Sequence, residues 1–264
     1  MSTDLHHDVQ GSGPPLVMVH GSWTDHNSWA AVVPRLAERF RVITYDRRGH
    51  SGSASLPLAR SRVDHEDDLA DLIEGVAEGS AYVAANSFGG VIALGLAARR
   101  PDLFRPLAVH EPPAASLSSD TDTARAVATM HEACAEIDAG AHELGAQRFV
   151  EEVALGPGSW QLLPEAMRAT FVGNAPTFAA ELHDPEGGDV DAVGVEHAGL
   201  SLLITKGTES PRWFHGIADR LSDLLPMAAT ALIAGAGHAP HLTHPDEYAD
   251  LLTAFFLEER ALAA

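Results

Sequence analysis

The stretch AYVAANSFGGVIA, residues 81–93, decides the fold of this chain. A run of strand-forming residues stops at Asn86 and Ser87, two glycines follow, and the chain resumes with helical spacing. A strand that turns into a helix within two residues holds the serine on a sharp, strained bend, where only small neighbours fit. Ala85 and Gly89 occupy the two crowded positions. The stretch therefore predicts a strand, a tight turn at the serine, and a helix that passes close behind the strand.

Short apolar runs alternate with helical patterns along most of the chain. Each run ends in turn or polar residues, as do strands that are covered on both faces of a parallel sheet. Besides the stretch above, these runs are residues 14–21, 41–49, 106–111, 200–207 and 230–238. The repeated order of strand and helix predicts an α/β fold with a doubly wound, mostly parallel sheet and right-handed crossovers.

Residues 115–196 depart from this alternation. They are rich in Ala, Glu and His, and they combine helical stretches such as TARAVATMHEACAEI with loops that contain GPGSW and HDPEGGD. We interpret this segment as a helical cap, or lid, over the sheet. The sheet and its flanking helices are then expected to form a core from residues 1–114 and 197–264.

Composition argues against some classes of partner. The chain has 264 residues, of which 37 are acidic and 17 basic, so its formal net charge is −20. Such a charge repels phosphate backbones and anionic lipid surfaces, and we expect neither a nucleic-acid nor a membrane partner. The N-terminal MSTDLHHDVQ has no apolar targeting core, which predicts a cytoplasmic protein. Lys206 is the only lysine beside many arginines and alanines, which indicates a bacterial source with a GC-rich genome.

Four stretches resemble the serine-nucleophile, lidded and esterase-like branch of the α/β-hydrolase superfamily. They are HGSW (20–23), YDRRGHS (45–51), ANSFG (85–89) and GAGHAPHLTHPDEY (235–248). In this family the serine turn is usually GxSxG, and here Ala85 replaces the first glycine. The resemblance covers nearly the whole chain outside the insertion and implies a helical cap inserted after the sixth strand. It also implies that Ser87 is a nucleophile and that Asp46, Arg47 and Arg48 fix the loop beside it.

A serine hydroxyl needs a base within hydrogen-bond reach before it attacks a carbonyl. His238 is the candidate, because it follows the last predicted strand in GAGH and completes the chain order serine, acid, histidine. The oxyanion formed on attack needs two N–H donors. We expect one from Phe88, which follows the nucleophile, and the resemblance implies that the other comes from HGSW. Ser22 is the first candidate there and Trp23 the second.

Two glutamates are candidates for the acid that would orient this histidine, with Glu111 as the first choice and Glu209 as the alternative. Relatives usually place an aspartate three residues after the glycine that ends the penultimate strand, where KGTESP has Ser210. Glu209 precedes that position by one residue. Glu111 directly follows the strand after the nucleophile helix, and some members of the family take their acid from this strand end. Because a triad depends on geometry, either side chain could fix the tautomer of His238.

Three further residues are candidate pocket walls. Trp160 belongs to the insertion, and Trp213 and His215 follow the penultimate strand. Ordinary core packing accounts equally well for each of them.

A metal site is not expected in the last loop. The spacing HxxHxxH at 238–244 could indicate metal ligands, but Pro240 and Pro245 argue against a regular helix. No cysteine or obvious carboxylate cluster lies nearby in the sequence to complete a ligand set. We therefore expect neither a metal nor another cofactor.

The resemblance implies hydrolysis of an ester, thioester or lactone bond of a small molecule through an acyl-enzyme on Ser87. One alternative uses the same residues in a carbon–carbon hydrolase, lyase or cyclase of secondary metabolism. The other is a catalytically decayed, ligand-binding protein on the hydrolase scaffold, which the substitution at Ala85 and the displaced acid would indicate.

Overall fold

The computed structural model describes residues 4–262 and contains a sheet of seven strands. The strands are β1 (His7–Gln10), β2 (Pro15–Val19), β3 (Arg41–Tyr45), β4 (Ala81–Asn86), β5 (Phe104–His110), β6 (Leu202–Gly207) and β7 (Ala229–Ile233). Their order across the sheet is β1-β3-β2-β4-β5-β6-β7. β1 is antiparallel to β3, and the other neighbouring pairs are parallel. The predicted doubly wound, mostly parallel sheet is confirmed.

Helices cover both faces of this sheet. They are α1 (Val33–Leu36), α2 (Arg62–Gly75), α3 (Phe88–Arg99), α4 (Thr121–Asp138), α5 (His142–Arg148), α6 (Ser159–Leu162), α7 (Glu165–His183), α8 (Ala192–Ala198), α9 (Arg212–Leu224), α10 (Pro240–Thr243) and α11 (Pro245–Leu262). Short 3₁₀ helices span His26–Trp29, Ser51–Ser53, Pro101–Leu103 and Ala115–Leu117, and a π-helical segment spans Phe149–Ala154. Between residues 4 and 262, none of the helices combines the length and the apolar character needed to cross a bilayer.

Each face of the sheet has its own apolar core. On one face, Val17 and Val83 belong to the same buried cluster as Ile92 of α3, and on the other face Tyr82 packs with Phe256 of α11. Successive residues of a strand point to opposite faces, so a strand covered on both faces has to be apolar along its length. All six residues of β4 are buried, which explains why this strand reads as a continuous apolar run.

β1 is a strand that the sequence analysis did not predict. It has only four residues, and three of them are exposed. A short edge strand of this kind lacks the apolar run on which the other predictions depended.

The chain between β5 and β6 is helical, from the turn Ala115–Leu117 to the end of α8 at Ala198. The resemblance implied an insertion after the sixth strand. In the structure this segment follows the fifth strand, β5. The reason is that the described residues before it form five strands, one of which is the short β1. The residue limits of a core and a cap stay an interpretation.

Candidate active site

The turn between β4 and α3 is strained as predicted. Ser87 has φ +54° and ψ −129°, a conformation that non-glycine residues rarely adopt. Its N–H donates a hydrogen bond to the carbonyl of His110 at 2.9 Å, and its carbonyl accepts one from Gly90 at 2.7 Å. A Cβ at Gly89 would lie 2.5 Å from the carbonyl oxygen of Val19, so that position requires glycine. These contacts hold the serine at the carboxyl end of the central strand.

The substitution of alanine for the first glycine of the turn is accommodated without visible strain. Ala85 is paired with Val19 of β2 and Val109 of β5, and its methyl group is buried in the apolar cluster below the sheet rim. Gly21, on the neighbouring loop, is the more crowded position. A Cβ there would lie 2.9 Å from the Cβ of Ser87, a close approach that the sequence analysis missed.

A buried carboxylate lies against the predicted base. Oε2 of Glu111 is 2.7 Å from Nδ1 of His238, and Oε1 accepts the backbone N–H of Gly207 at 2.9 Å. The Glu111 side chain has no solvent exposure. The backbone φ of Glu111 is +46°, so Glu111 is a second strained residue at the sheet rim. The end of β5 therefore delivers this carboxylate to the histidine loop that follows β7.

The surroundings of this carboxylate favour its charged form. Burial raises the pKa of Glu111, but the hydrogen bond from His238 and the charge interactions with His110 and His238 outweigh burial and leave the pKa at about 2. Burial lowers the pKa of His110 to about 4. At neutral pH the structure therefore holds a carboxylate ion beside Nδ1 of His238, with His110 neutral behind it.

The other candidate acid lies elsewhere. Glu209 is exposed, and its carboxylate accepts a hydrogen bond from the hydroxyl of Thr208 at 3.2 Å. Its backbone N–H donates to the carbonyl of Ala236. Glu209 therefore does not contact His238, whereas Glu111 does.

The base lies next to the nucleophile turn. The side-chain amide of Asn86 donates a hydrogen bond to the carbonyl of His238 at 3.0 Å. Phe214 stacks on the imidazole, with ring centroids 3.9 Å apart and an interplanar angle of 15°. In the described part of the chain Ser87 Oγ and His238 form no hydrogen bond. Catalytic hydrogen bonds are often long without substrate and tighten when it binds.

The HGSW loop passes beside the same turn. Ser22 lines a cavity together with Ser87 and Phe88. As the first residue of α3, Phe88 has an N–H with no acceptor inside the helix. Trp23 has φ +69°, and its ring stacks on Phe178 of α7 at 4.4 Å. Both expected sources of oxyanion donors thus lie at the cavity, with Trp23 turned into contact with the helical segment.

A buried ion pair joins the loop after β3 to α7 and contacts the HGSW loop, and no sequence motif indicated it. Arg47 donates a hydrogen bond to Oε1 of Glu181 at 2.7 Å, and their side chains are 1% and 2% exposed. The same guanidinium donates to the carbonyl of Gly21 at 2.9 Å. Oε2 of Glu181 accepts the hydroxyl of Ser22 at 2.5 Å. The sequence analysis expected Arg47 to order a loop, but its partner is 134 residues away in the chain.

The cavity above Ser87 has a volume of about 620 Å³. Its inner walls are aromatic and apolar, and include Phe149, Phe178, Trp213 and Phe214. Its other lining residues include the carboxylates Glu181, Asp184 and Asp189, and no lysine or arginine lines it within the described chain.

The three predicted pocket residues have different positions. Trp213 lines the cavity, and its indole N–H donates to the carbonyl of Val153 at 3.1 Å. Trp160 is buried against Phe171 and does not line the cavity. His215 binds the carbonyl of Gly207 at 2.7 Å and is likewise outside it. The pocket prediction was wrong for Trp160 and His215, because packing inside the helical segment and against β6 occupies them.

The histidines of the HxxHxxH spacing do not converge. His241 is buried against Trp29, with ring centroids 4.5 Å apart, and His244 is bonded to Thr243. Within residues 4–262 these three histidines form no common group of metal donors. His238 instead shares a buried group with His110 and Glu111, whose facing atoms already form the contact described above.

Comparisons with known proteins agree with this fold. The alpha/beta hydrolase family matches residues 16–251. A pimeloyl-[acyl-carrier protein] methyl ester esterase of Nitrosomonas europaea is 27% identical over 250 residues, which cover 92% of this chain and 96% of that protein. An uncharacterized hydrolase of Bacillus subtilis is 39% identical over 111 residues, 41% of each chain.

A solved structure resembles the chain over nearly its whole length. The crystal structure of an alpha/beta hydrolase from Sphaerobacter thermophilus is 26% identical and has a TM-score of 0.76, with 96% of each chain covered. The strained serine turn, the sheet order and the match over residues 16–251 lead to one conclusion: this chain belongs to the alpha/beta hydrolase family.

Proposed function

We propose that the protein hydrolyses an ester, thioester or lactone bond of a small molecule through an acyl-enzyme on Ser87. The observation that carries this proposal is the 2.7 Å contact between Glu111 and His238, buried at the sheet rim beside the serine turn. Membership of the hydrolase family and the esterase-named relative support the reaction class.

In the acylation step, Nε2 of His238 takes the proton of the Ser87 hydroxyl as Oγ attacks the carbonyl carbon. Glu111 holds Nδ1–H and stabilises the imidazolium that forms. The backbone N–H of Phe88 and that of Ser22, with Trp23 as the second candidate, bind the oxyanion. His238 then gives its proton to the leaving group, and the carbonyl–oxygen or carbonyl–sulfur bond breaks.

In the deacylation step, His238 removes a proton from a water molecule that attacks the acyl carbonyl. The same N–H groups bind the second oxyanion. The proton returns to Ser87 Oγ as the acid product leaves. Each step uses side chains and backbone groups of this chain, and the proposed reaction requires no cofactor.

The lining of the cavity supports a neutral, moderately apolar substrate. Five aromatic rings line the cavity above Ser87, and its ionisable lining residues are three carboxylates and two histidines, His131 and His183, with no lysine or arginine. The buried Arg47 is paired with Glu181 and does not line the cavity. A substrate carboxylate would therefore lose its hydration beside three carboxylates and without a lysine or arginine partner among the lining residues. The helical segment then selects an acyl chain by fit against its aromatic walls.

The first experiment is hydrolysis of p-nitrophenyl esters by the wild type and by Ser87→Ala. We expect turnover by the wild type and a loss of about 10⁶-fold in kcat in the variant, as removal of a nucleophile typically causes. Equal rates in the two proteins would exclude Ser87 as the nucleophile. A wild type that does not react with esters and fails to bind a fluorophosphonate covalently would instead indicate the decayed, ligand-binding alternative.

A further inference from the structure

Three side chains that commonly bind transition metals meet outside the cavity. His6 directly precedes the edge strand β1, and Asp8 is the second residue of that strand. The carbonyl of His6 accepts the N–H of Asp46 at 2.9 Å and so continues the pairing of β1 with β3, which places the side chains of His6 and Asp8, two positions apart, on the same face. His26 begins the 3₁₀ helix His26–Trp29, which follows the HGSW loop. One donor atom from each of the three lies within 4.8 Å of the others. Nε2 of His26 is 3.6 Å from Oδ2 of Asp8.

A buried carboxylate orients the central histidine. Oδ1 of Asp46 accepts a hydrogen bond from the backbone N–H of His26 at 2.8 Å. The same oxygen lies 2.6 Å from Nδ1 of the His26 ring. Oδ2 accepts the N–H of Gly52 at 2.8 Å. Asp46 is fully buried and accepts hydrogen bonds from two backbone N–H groups, so we assign its 2.6 Å contact with His26 as a hydrogen bond donated by Nδ1–H.

The unprotonated Nε2 of His26 therefore faces Asp8 and His6. Metal-binding histidines in proteins usually have this arrangement, in which a carboxylate holds one ring nitrogen and leaves the other free for the ion. The rings of His6 and His26 are adjacent, with centroids 4.8 Å apart. Asp46 thus prepares His26 for an ion that neither the sequence patterns nor the proposed hydrolysis requires.

We propose that His6, Asp8 and His26 bind one divalent transition-metal ion, with Zn²⁺ as the reference ion and water as a fourth ligand. Two imidazole nitrogens and one carboxylate oxygen are the donors that zinc and its neighbours prefer, whereas Mg²⁺ and Ca²⁺ prefer oxygen alone. Bonds of about 2.0–2.2 Å bring tetrahedral donors to about 3.4 Å from one another. The Asp8 side chain is 57% exposed and is free to make that adjustment.

A different group of donors provides a contrast. Cys134, Asp138 and His183 also bring one donor atom each within 4.8 Å. Burial raises the pKa of the Cys134 thiol, so the thiolate that a metal requires is harder to form there than at an exposed cysteine. His183 and Asp138 are both exposed, and no buried carboxylate among the described residues is hydrogen-bonded to either of them. Preparation of a ring nitrogen by Asp46 is what distinguishes the group at His26.

Bound metal would have a structural consequence. It would fasten β1, which is the edge strand, to the segment that directly follows Ser22 and Trp23. Ligand binding to the folded state alone stabilises that state by mass action. We therefore expect Zn²⁺ to raise the Tm of the protein by several degrees.

The test is isothermal titration of chelator-treated protein, free of any histidine tag, with ZnCl₂. We expect one site with a micromolar Kd, and at least 100-fold weaker binding of MgCl₂. His6→Ala and Asp8→Asn change exposed side chains and should each weaken zinc binding at least tenfold while leaving the fold intact. His7→Ala is the matched control, because His7 is the next residue, lies on the opposite face and is bonded to the carbonyl of Leu5.

The results divide clearly. The proposal is supported if zinc raises the Tm of the wild type and of His7→Ala but not that of His6→Ala. Failure of the wild type to bind ZnCl₂ below millimolar concentration would overturn it. Equal loss of binding in His7→Ala would also overturn it, as would loss of binding in His183→Ala or His238→Ala, which would place the ion elsewhere. None of these results depends on whether the protein hydrolyses esters.

Discussion

The carboxylate of Glu111 lies 2.7 Å from Nδ1 of His238, although 127 positions separate the two residues in the chain. They meet because the loop after β7 passes the end of β6 and reaches the end of β5 at the same rim of the sheet. The residue before the nucleophile, Asn86, is bonded to the backbone of His238. The base is therefore tied to both the acid and the nucleophile turn.

Glu111→Gln should lower kcat by about 10⁴-fold with little change in KM. An amide keeps the shape of the side chain, but it no longer stabilises the imidazolium and can favour the wrong tautomer of His238. Ester hydrolysis by the purified variant measures this effect. Glu209→Gln is the matched control and should retain wild-type kcat, since Glu209 is exposed and bonded to Thr208. The reverse ranking of the two variants would show that we have assigned the acid to the wrong residue.

The charge of Glu111 should also be visible in the pH dependence of stability. Its pKa is about 2 in the folded protein and 4.5 in a free side chain. A depressed folded pKa gives stability that is fully present above the ordinary pKa and is lost as the pH falls towards the folded value. The shift corresponds to roughly 3 kcal/mol.

The difference in unfolding free energy between the wild type and Glu111→Gln isolates this contribution. Urea unfolding at pH 6, 5, 4 and 3 should show the wild type losing its advantage as the pH falls below about 5. Groups that do not interact with Glu111 affect both proteins equally and cancel in the difference, whereas the charge interactions of His110 and His238 with Glu111 are part of the contribution that is measured. A difference that stays constant over this range would contradict the low pKa.

The ion pair between Arg47 and Glu181 should position the HGSW loop. Glu181→Ala leaves a buried guanidinium without its partner and removes the acceptor of the Ser22 hydroxyl. We expect a loss of about 3–5 kcal/mol in stability. Urea unfolding measures the stability. The position of the HGSW loop is measured through kcat for a p-nitrophenyl ester, which should fall about tenfold or more.

The double variant Arg47→Met/Glu181→Leu separates positioning from stability. Apolar residues of similar volume commonly restore the stability that a broken buried pair loses. We expect stability to return towards that of the wild type while kcat remains low, because neither new side chain binds Ser22 or Gly21. Recovery of both quantities together would mean that the pair only supports the fold.

Substrate charge gives a further prediction. Among esters of matched size, one with a terminal carboxylate should have a kcat/KM at least tenfold below its neutral methyl-capped counterpart, because the cavity offers carboxylates and no lysine or arginine. Steady-state kinetics on the pair measures the ratio. The double variant Asp184→Asn/Asp189→Asn should bring the two kcat/KM values closer together. A preference for the carboxylate ester would show that the cavity binds anions in a way that our account does not include.

The sequence predicted the parts of this site that depend on neighbouring residues. The turn at Ser87 follows from small residues on both sides of it, and His238 follows from a glycine-rich loop after an apolar run. The choice between Glu111 and Glu209 depends instead on how β5, β6 and β7 are arranged side by side, and both residues have similar local sequence signals.

Contacts across the sheet rim could not be predicted from the sequence, because they also depend on how distant elements are arranged. The pair of Arg47 with Glu181 joins a loop to a helix in a segment that the sequence identified only as helical. β1 was missed because it is short and exposed, although it supplies the antiparallel edge of the sheet. The order of the elements and the local turns were predictable from the sequence alone. The pairing of distant side chains became known only from the structure.

The most direct test of the central claim is mass spectrometry of the protein after reaction with a fluorophosphonate. An activated serine forms a covalent phosphonyl adduct, because its hydroxyl attacks phosphorus only when a base removes the proton. We predict one adduct per chain on the peptide that contains Ser87, with labelling strongly reduced in His238→Ala. Labelling of another residue, or an equal rate in His238→Ala, would contradict the account.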